Sequence, residues 1–281
     1  MNFNCNKNIY PSQRNVIIAK NGMVATTQPL AAQAGLEMLK KGGNAVDAAI
    51  ATAASLTVVE PTSNGIGGDA FAIVWFNEDL YGLNSSGPAS CSITAEKVRE
   101  RGYNSIPKYG WLPVNVPGVV MAWRELNNRF GNLSLEEVLS PSIEYAYEGY
   151  PVSPTVAKEW NNNFKIYEKF LKGEEFKYWF ETFAPLGRAP YPGEIWRNKY
   201  MSNTLSQIAK SNGEDFYKGD IADKIVQFSK KYGGFLNKKD LENYESEWVE
   251  PLKVNYRGFD IWELTPSIHA LVVLRAWNML N

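Results

Sequence analysis

A chain of 281 residues, 44% hydrophobic and 13% aromatic, is long enough to bury a sizeable core as a globular protein. Its 29 basic and 30 acidic residues are spread without long runs and leave a formal charge of -1, so there is no electrostatic case for nucleic acid or an anionic membrane as partner. Small neutral molecules are the expected partners.

The start, Met1-Asn2-Phe3-Asn4-Cys5-Asn6-Lys7, lacks the apolar core of a signal peptide, and no run approaches the length that spans a bilayer. A cytoplasmic protein without membrane segments is expected. Two cysteines, Cys5 and Cys91, and one histidine, His269, make neither a disulfide framework nor an ordinary His/Cys zinc site, so no metal or other cofactor is expected. Both cysteines read as packing or surface residues.

Val16-Ile17-Ile18-Ala19 and Met23-Val24-Ala25-Thr26 flank Asn21-Gly22, which predicts a tight hairpin. Thr27 and Pro29 then open a helical pattern with Ala32, Leu36 and Leu39 on one face, closed by Gly42-Gly43. Asn44 to Val58 is small and apolar nearly all round, the pattern of a helix packed on several sides. Gly65-Ile66-Gly67-Gly68-Asp69 stands between that helix and a strand, Ala70 to Trp75, the reverse of the order that a dinucleotide or phosphate loop requires. These glycines read as a turn with close backbone approach and positive φ. The strand pairs across Asn77-Glu78-Asp79 with Leu80-Tyr81-Gly82-Leu83, and Asn84 follows at the strand end, where residues project into clefts.

Val116-Pro117-Gly118 opens a helix closed at Gly131. Asn161 to Tyr178 is the variable-looking segment. Trp160, Phe164, Tyr167 and Phe170 fall at helical spacing, which favours a core stripe over a cleft wall or a subunit contact. Lys230-Lys231 and Lys238-Lys239 read as solvated charge pairs. A nucleophile activated by histidine would have to use His269, yet no Gly-x-Ser-x-Gly elbow is present. His269 therefore reads as a hydrogen-bonded residue near a helix start, whereas an N-terminal threonine, which uses its own α-amine as base, needs no histidine.

Several phrases in fixed order carry a resemblance: Asn64-Gly65-Ile66-Gly67-Gly68-Asp69, Asn84-Ser85-Ser86-Gly87-Pro88, Val116-Pro117-Gly118, Leu186-Gly187-Arg188-Ala189-Pro190, Phe216-Tyr217-Lys218-Gly219, Asp240-Leu241-Glu242-Asn243-Tyr244, Tyr256-Arg257-Gly258 and Glu263-Leu264-Thr265-Pro266. Together they resemble the large subunit of the γ-glutamyltranspeptidase family, and Leu139 to Ser153 resembles the family's next helix after the one closed at Gly131. That resemblance implies an α/β fold of the N-terminal-nucleophile hydrolase type, an αββα sandwich around a predominantly antiparallel sheet, with residues 1–281 as a single large-subunit domain carrying a helix-rich region. It implies an acyltransferase or amidohydrolase acting on a γ-glutamyl peptide or related small acyl amide. Autocatalytic cleavage makes two subunits, and the threonine nucleophile begins the complementary small subunit. The chain is expected to stop before that cleavage site and to contain no catalytic residue of its own.

The resemblance places Asn84, Ser85 and Ser86 at the substrate. In transpeptidases an arginine stands at the position of Asn84 and grips the glutamyl α-carboxylate; Asn84-Ser85-Ser86-Gly87 instead resembles the acylase-like branch, although Pro88 replaces the arginine that this branch carries after the glycine. The alternative reading is a catalytically inactive binding or scaffold remnant of that family. Leu271, Leu274, Trp277 and Met279 lie at helical spacing, and such a final helix either exposes apolar surface for an absent half or docks on its own domain.

Overall fold

The computed structural model describes residues 16–264 and 268–280. Helices α1 (Pro29–Lys40) and α2 (Ala45–Val59) lead to strands β1 (Ala70–Phe76) and β2 (Asp79–Ser85), followed by the short α3 (Ala95–Glu100), α4 (Val119–Phe130) and α5 (Leu135–Glu148). A mainly helical stretch follows: β3 (Tyr150–Pro151), α6 (Pro154–Phe170), α7 (Lys177–Phe183), β4 (Ile195–Trp196), α8 (Lys199–Lys210), α9 (Glu214–Tyr217), α10 (Asp220–Lys231) and α11 (Lys238–Glu242). Strands β5 (Glu247–Val249), β6 (Leu252–Tyr256) and β7 (Phe259–Glu263) and helix α12 (Ile268–Met279) complete the order. His269 falls in the first turn of α12, and its side chain, like Cys5 and Thr265-Pro266, lies outside the described residues.

The hairpin expected around Asn21-Gly22 does not form: residues 16–26 make no strand, and neither Asn21 nor Gly22 takes a positive φ. The segment runs along α1 instead, with Val24 beside Gly35 and Gly22 beside Leu39. A two-stranded hairpin is marginal in water, and packing against a helix outweighs it. The cap of α1 is Gln28 rather than Thr27; its side-chain oxygen accepts from the backbone N–H of Leu30 and Ala31. Thr27 Oγ1 donates to Glu60 Oε2 at 2.7 Å. The buried face of α1 is Ala31, Ala34, Gly35 and Met38, while Leu36 is exposed. Close helix contact selected the small residues: a β-carbon at Gly35 would come within 2.3 Å of Thr52 Oγ1 on α2. Helix α2 matches its expected span, is capped by a reciprocal Asn44/Asp47 box, and packs against α1, α4 and α5. Helix α5 starts at Leu135, earlier than expected, because Ser134 and Glu137 form a second capping box; it ends at Gly149, whose φ of 94° only glycine adopts readily.

The main sheet has the order β1-β2-β5, antiparallel throughout, and two smaller antiparallel pairs, β3-β4 and β6-β7, complete the strands among the described residues. The β1-β2 turn is shorter than expected: Asn77 (φ 50°) and Glu78 (φ 70°) alone connect the strands, and Asp79 is already paired with Phe76. On the inner face Ala72, Val74, Phe76, Tyr81, Leu83 and Trp248 meet the helical core. Phe130 of α4 sits 5.1 Å from both Phe76 and Tyr81 and 5.7 Å from Trp248, centroid to centroid. On the outer face Phe71, Ile73 and Trp75 stay 49%, 42% and 68% exposed. Farther along that face Leu264 is buried over Gly82.

The aromatic stripe of α6 belongs to the core at one end only. Trp160 is buried against Trp196 and donates to Phe183 O at 2.9 Å, whereas Phe170 is exposed. Helix α12 shares both expected behaviours: Leu274 is buried and Trp277 packs on Tyr256, yet Val272 and Met279 face solvent. No described helix is long and apolar enough to cross a membrane.

Candidate functional site

The glycine loop holds one end of the site together without the expected backbone conformation: Gly65, Gly67 and Gly68 all lack positive φ. Its contribution is a carbonyl. Gly68 O accepts the N–H of Gly118 at 2.8 Å and of Val119 at 3.1 Å, satisfying donors that the first turn of α4 leaves unpaired. The chain is equally close at Ser85, where a β-carbon on Gly118 would stand 1.8 Å from the Ser85 carbonyl oxygen. Loop, strand end and helix start thus meet at one point.

Strand β2 continues through Asn84 and Ser85, beyond its expected end at Leu83, so the three candidate residues alternate across the sheet. Asn84 lies on the outer face opposite Glu247 of β5 and is 7% exposed. Its Oδ1 accepts from Ser86 N at 3.2 Å, and its Nδ2 donates to Glu247 Oε2 at 3.4 Å. Ser85 is fully buried on the inner face: its hydroxyl is 2.7 Å from Gly118 O, 2.9 Å from Tyr244 OH and 2.6 Å from Ser246 Oγ. That cluster contains no imidazole or amine to serve as base; it fixes the strand end against α4. Ser86 is exposed beyond the strand.

Asn84 and Ser86, but not Ser85, line an open cleft of about 520 Å³ together with Pro88, Cys91, Asp240 and Glu247. Lys239 and Glu245 stand on the same lining. The loop after Ser86 turns at Gly87 and is stitched down by Val116 N donating to Pro88 O at 2.9 Å. Asp240 ties α11 to this loop: it accepts from Cys91 N at 3.0 Å and Asn237 N at 3.0 Å, and its Oδ2 lies 2.6 Å from Ser90 Oγ. Burial pushes the Asp240 carboxyl up, but hydrogen bonds from Cys91, Ser90 and Asn237 outweigh it and hold the group below the usual aspartate range. The carboxylate is therefore a structural anchor with its acceptor positions in use.

Of the lining residues, Asn84 and Ser86 carry a signal in the sequence, whereas Glu247, which meets Asn84 across 163 positions of chain, carries none. Asp240 and Tyr244 belong to one of the phrases that carry the resemblance, and Cys91 reads as a packing or surface residue; all three border the cleft. Lys239, read as part of a solvated pair, does so as well, whereas Lys238 donates to Asp223 at 2.7 Å. Among the described residues no group of three or more His, Cys, Asp or Glu is placed to hold a metal ion. The arrangement offers an amide, a carboxylate and a hydroxyl to the polar end of a small molecule.

Residues 31–281 match the family model described as Gamma-glutamyltranspeptidase. The chain is 33% identical over 268 residues to the glutathione hydrolase-like YwrD proenzyme of Bacillus subtilis, covering 94% of this chain and 50% of that protein. To the glutathione hydrolase proenzyme of the same organism it is 31% identical, over 97% of this chain and 46% of the relative. The chain thus spans about half the length of these curated relatives. Among solved structures, cephalosporin acylase from Bacillus halodurans is 55% identical with a TM-score of 0.90, covering 94% of this chain and 49% of that one. The γ-glutamyltranspeptidase of Helicobacter pylori is 30% identical with a TM-score of 0.82, covering 90% and 72%. With the family match running over nearly all of its length, the chain belongs to the γ-glutamyltranspeptidase family.

Proposed function

We propose that this chain is the large-subunit portion of a cytoplasmic acyltransferase or amidohydrolase acting on γ-glutamyl or related acyl amides, and that it supplies one wall of the substrate cleft. The observation that carries this is the cleft beside Asn84, open on the same sheet face that leaves Phe71, Ile73 and Trp75 uncovered. A complementary small subunit laid on that face completes the αββα sandwich and brings a threonine nucleophile, with its α-amine as base, to the acyl group held at Asn84 and Ser86. The relatives named as proenzymes, and the acylase of which this chain covers 49%, support that division.

The test is turnover. The purified chain alone is expected to leave γ-glutamyl-p-nitroanilide and glutaryl amides unhydrolysed above background, and combination with a complementary half is expected to produce turnover. Activity of the chain alone that survives repurification and is abolished by a point substitution within it overturns the reading. A chain that stays inactive with every complementary half, and whose cooperative monomeric melting ignores that half, is the inactive scaffold remnant instead.

Assembly gives a second expected result. Among the described residues β1 is an edge strand, and its outer row of three large apolar side chains is a surface that another chain is apt to cover. Trp75→Lys should weaken association with the complementary half by about tenfold or more. The same substitution should leave the melting of the isolated chain unchanged, since Trp75 is mostly exposed there. Sedimentation and thermal melting measure both quantities; undiminished association moves the interface elsewhere.

A further inference from the structure

The wall of the cleft has a sign. Its charged lining residues are Asp240, Glu245 and Glu247 against Lys239. The Asp240 carboxylate is engaged with Ser90, Cys91 and Asn237, so it contributes charge without a free acceptor for a ligand. Glu247 differs. Strand pairing sets it directly across from Asn84, its side chain is exposed to the cleft, and its Oε2 faces the Asn84 amide at 3.4 Å. The Asn84 oxygen is already directed to Ser86 N. A molecule approaching this point meets a buried amide whose N–H side leads to a carboxylate.

From this geometry we infer that Glu247 is a specificity-determining residue, selecting acyl groups whose far end carries an ammonium and rejecting those whose far end carries only a carboxylate. The inference rests on the reading of this cleft as the acyl site. A carboxylate on the substrate would be drawn next to a like charge, whereas an ammonium gains a charge-assisted hydrogen bond. Because the cleft is open to solvent, the preference should shrink as salt is raised.

The experiment uses the protein assembled with its complementary half and three p-nitroanilides: 4-aminobutyryl, with an ammonium; glutaryl, with a carboxylate; and γ-glutamyl, with both. The 4-aminobutyryl substrate is expected to exceed the glutaryl one in kcat/KM by about tenfold or more, the size of one charge-assisted contact, with γ-glutamyl between them. Glu247→Gln should erase that lead and Glu247→Lys should reverse it. A ratio that neither variant moves overturns the inference while leaving the acyl-transfer reading standing. Absence of turnover with all three anilides instead overturns the acyl-transfer reading, and the role of Glu247 is then decided by calorimetric titration with 4-aminobutyramide and glutaramate. Preferential binding of the ammonium ligand that Glu247→Gln removes upholds the role, and equal or absent binding of both ligands overturns it.

Discussion

Replacement of Asp47 by alanine is expected to destabilise the chain by about 2–4 kcal/mol, a large part of what a typical domain has in hand. This carboxylate is completely buried and joins three segments. Its Oδ2 accepts from Asn44 N at 2.9 Å, at the start of α2, and from Asn132 N at 3.0 Å, in the connection between α4 and α5. Its Oδ1 accepts from Asn127 Nδ2 of α4 at 3.4 Å. Truncation takes their acceptor from the N–H of Asn44 and Asn132 and one of two acceptors from Asn127 Nδ2, which keeps Leu133 O; a donor left unmet costs more than the loss of its bond alone. Asp47→Asn should recover only part of the loss, because one face of the amide would present N–H to N–H. The denaturant midpoint should fall with an unchanged m-value; a shift equivalent to less than about 1 kcal/mol would remove Asp47 from this role.

Gly118→Ala should be comparably severe for a steric reason. The added methyl would lie 1.8 Å from the Ser85 carbonyl oxygen and 2.8 Å from Tyr244 OH, and the first of these is backbone at the end of β2 that cannot swing aside. Strand and helix must separate, which breaks the bonds from Ser85 Oγ to Gly118 O and from Gly118 N to Gly68 O. Overpacking of this kind typically costs about 1–3 kcal/mol, and the broken bonds add to it. Gly67→Ala serves as control: nothing lies within 4 Å of its added methyl, so stability should change by no more than about 0.5 kcal/mol. Equal melting of Gly118→Ala and the unsubstituted chain would mean that the helix start accommodates the methyl.

Local signals reached as far as local forces decide. The uniform run of small apolar residues from Asn44 to Val58 announces α2 and its central place, because burial on every side leaves its mark within one helix. Asn21-Gly22 misled, since the fate of residues 16–26 depends on α1 lying alongside. For α1 itself, Leu36 looked like core by size, but the neighbouring helix comes so close that alanine and glycine took the contact. At the site, the family phrases brought Asn84 and Ser86 into view. The resemblance groups Ser85 with them, but β2 runs on past Leu83 through Asn84 and Ser85, and the alternation of a strand turns Ser85 inward. Glu247 had no local signal, since only the pairing of β2 with β5 puts it beside Asn84.

The alternation along β2 has a consequence for substitutions. Leu83 and Ser85 are bound into the interior, so exchange at either disturbs the helices behind the sheet, whereas Asn84 and its neighbour Glu247 face the cleft. Exchange at positions 84 and 247 alone can therefore alter the chemistry of the cleft wall while leaving Leu83 and Ser85 in place. One strand carries two separable constraints, packing on its inner side and the chemistry of the cleft wall on its outer side.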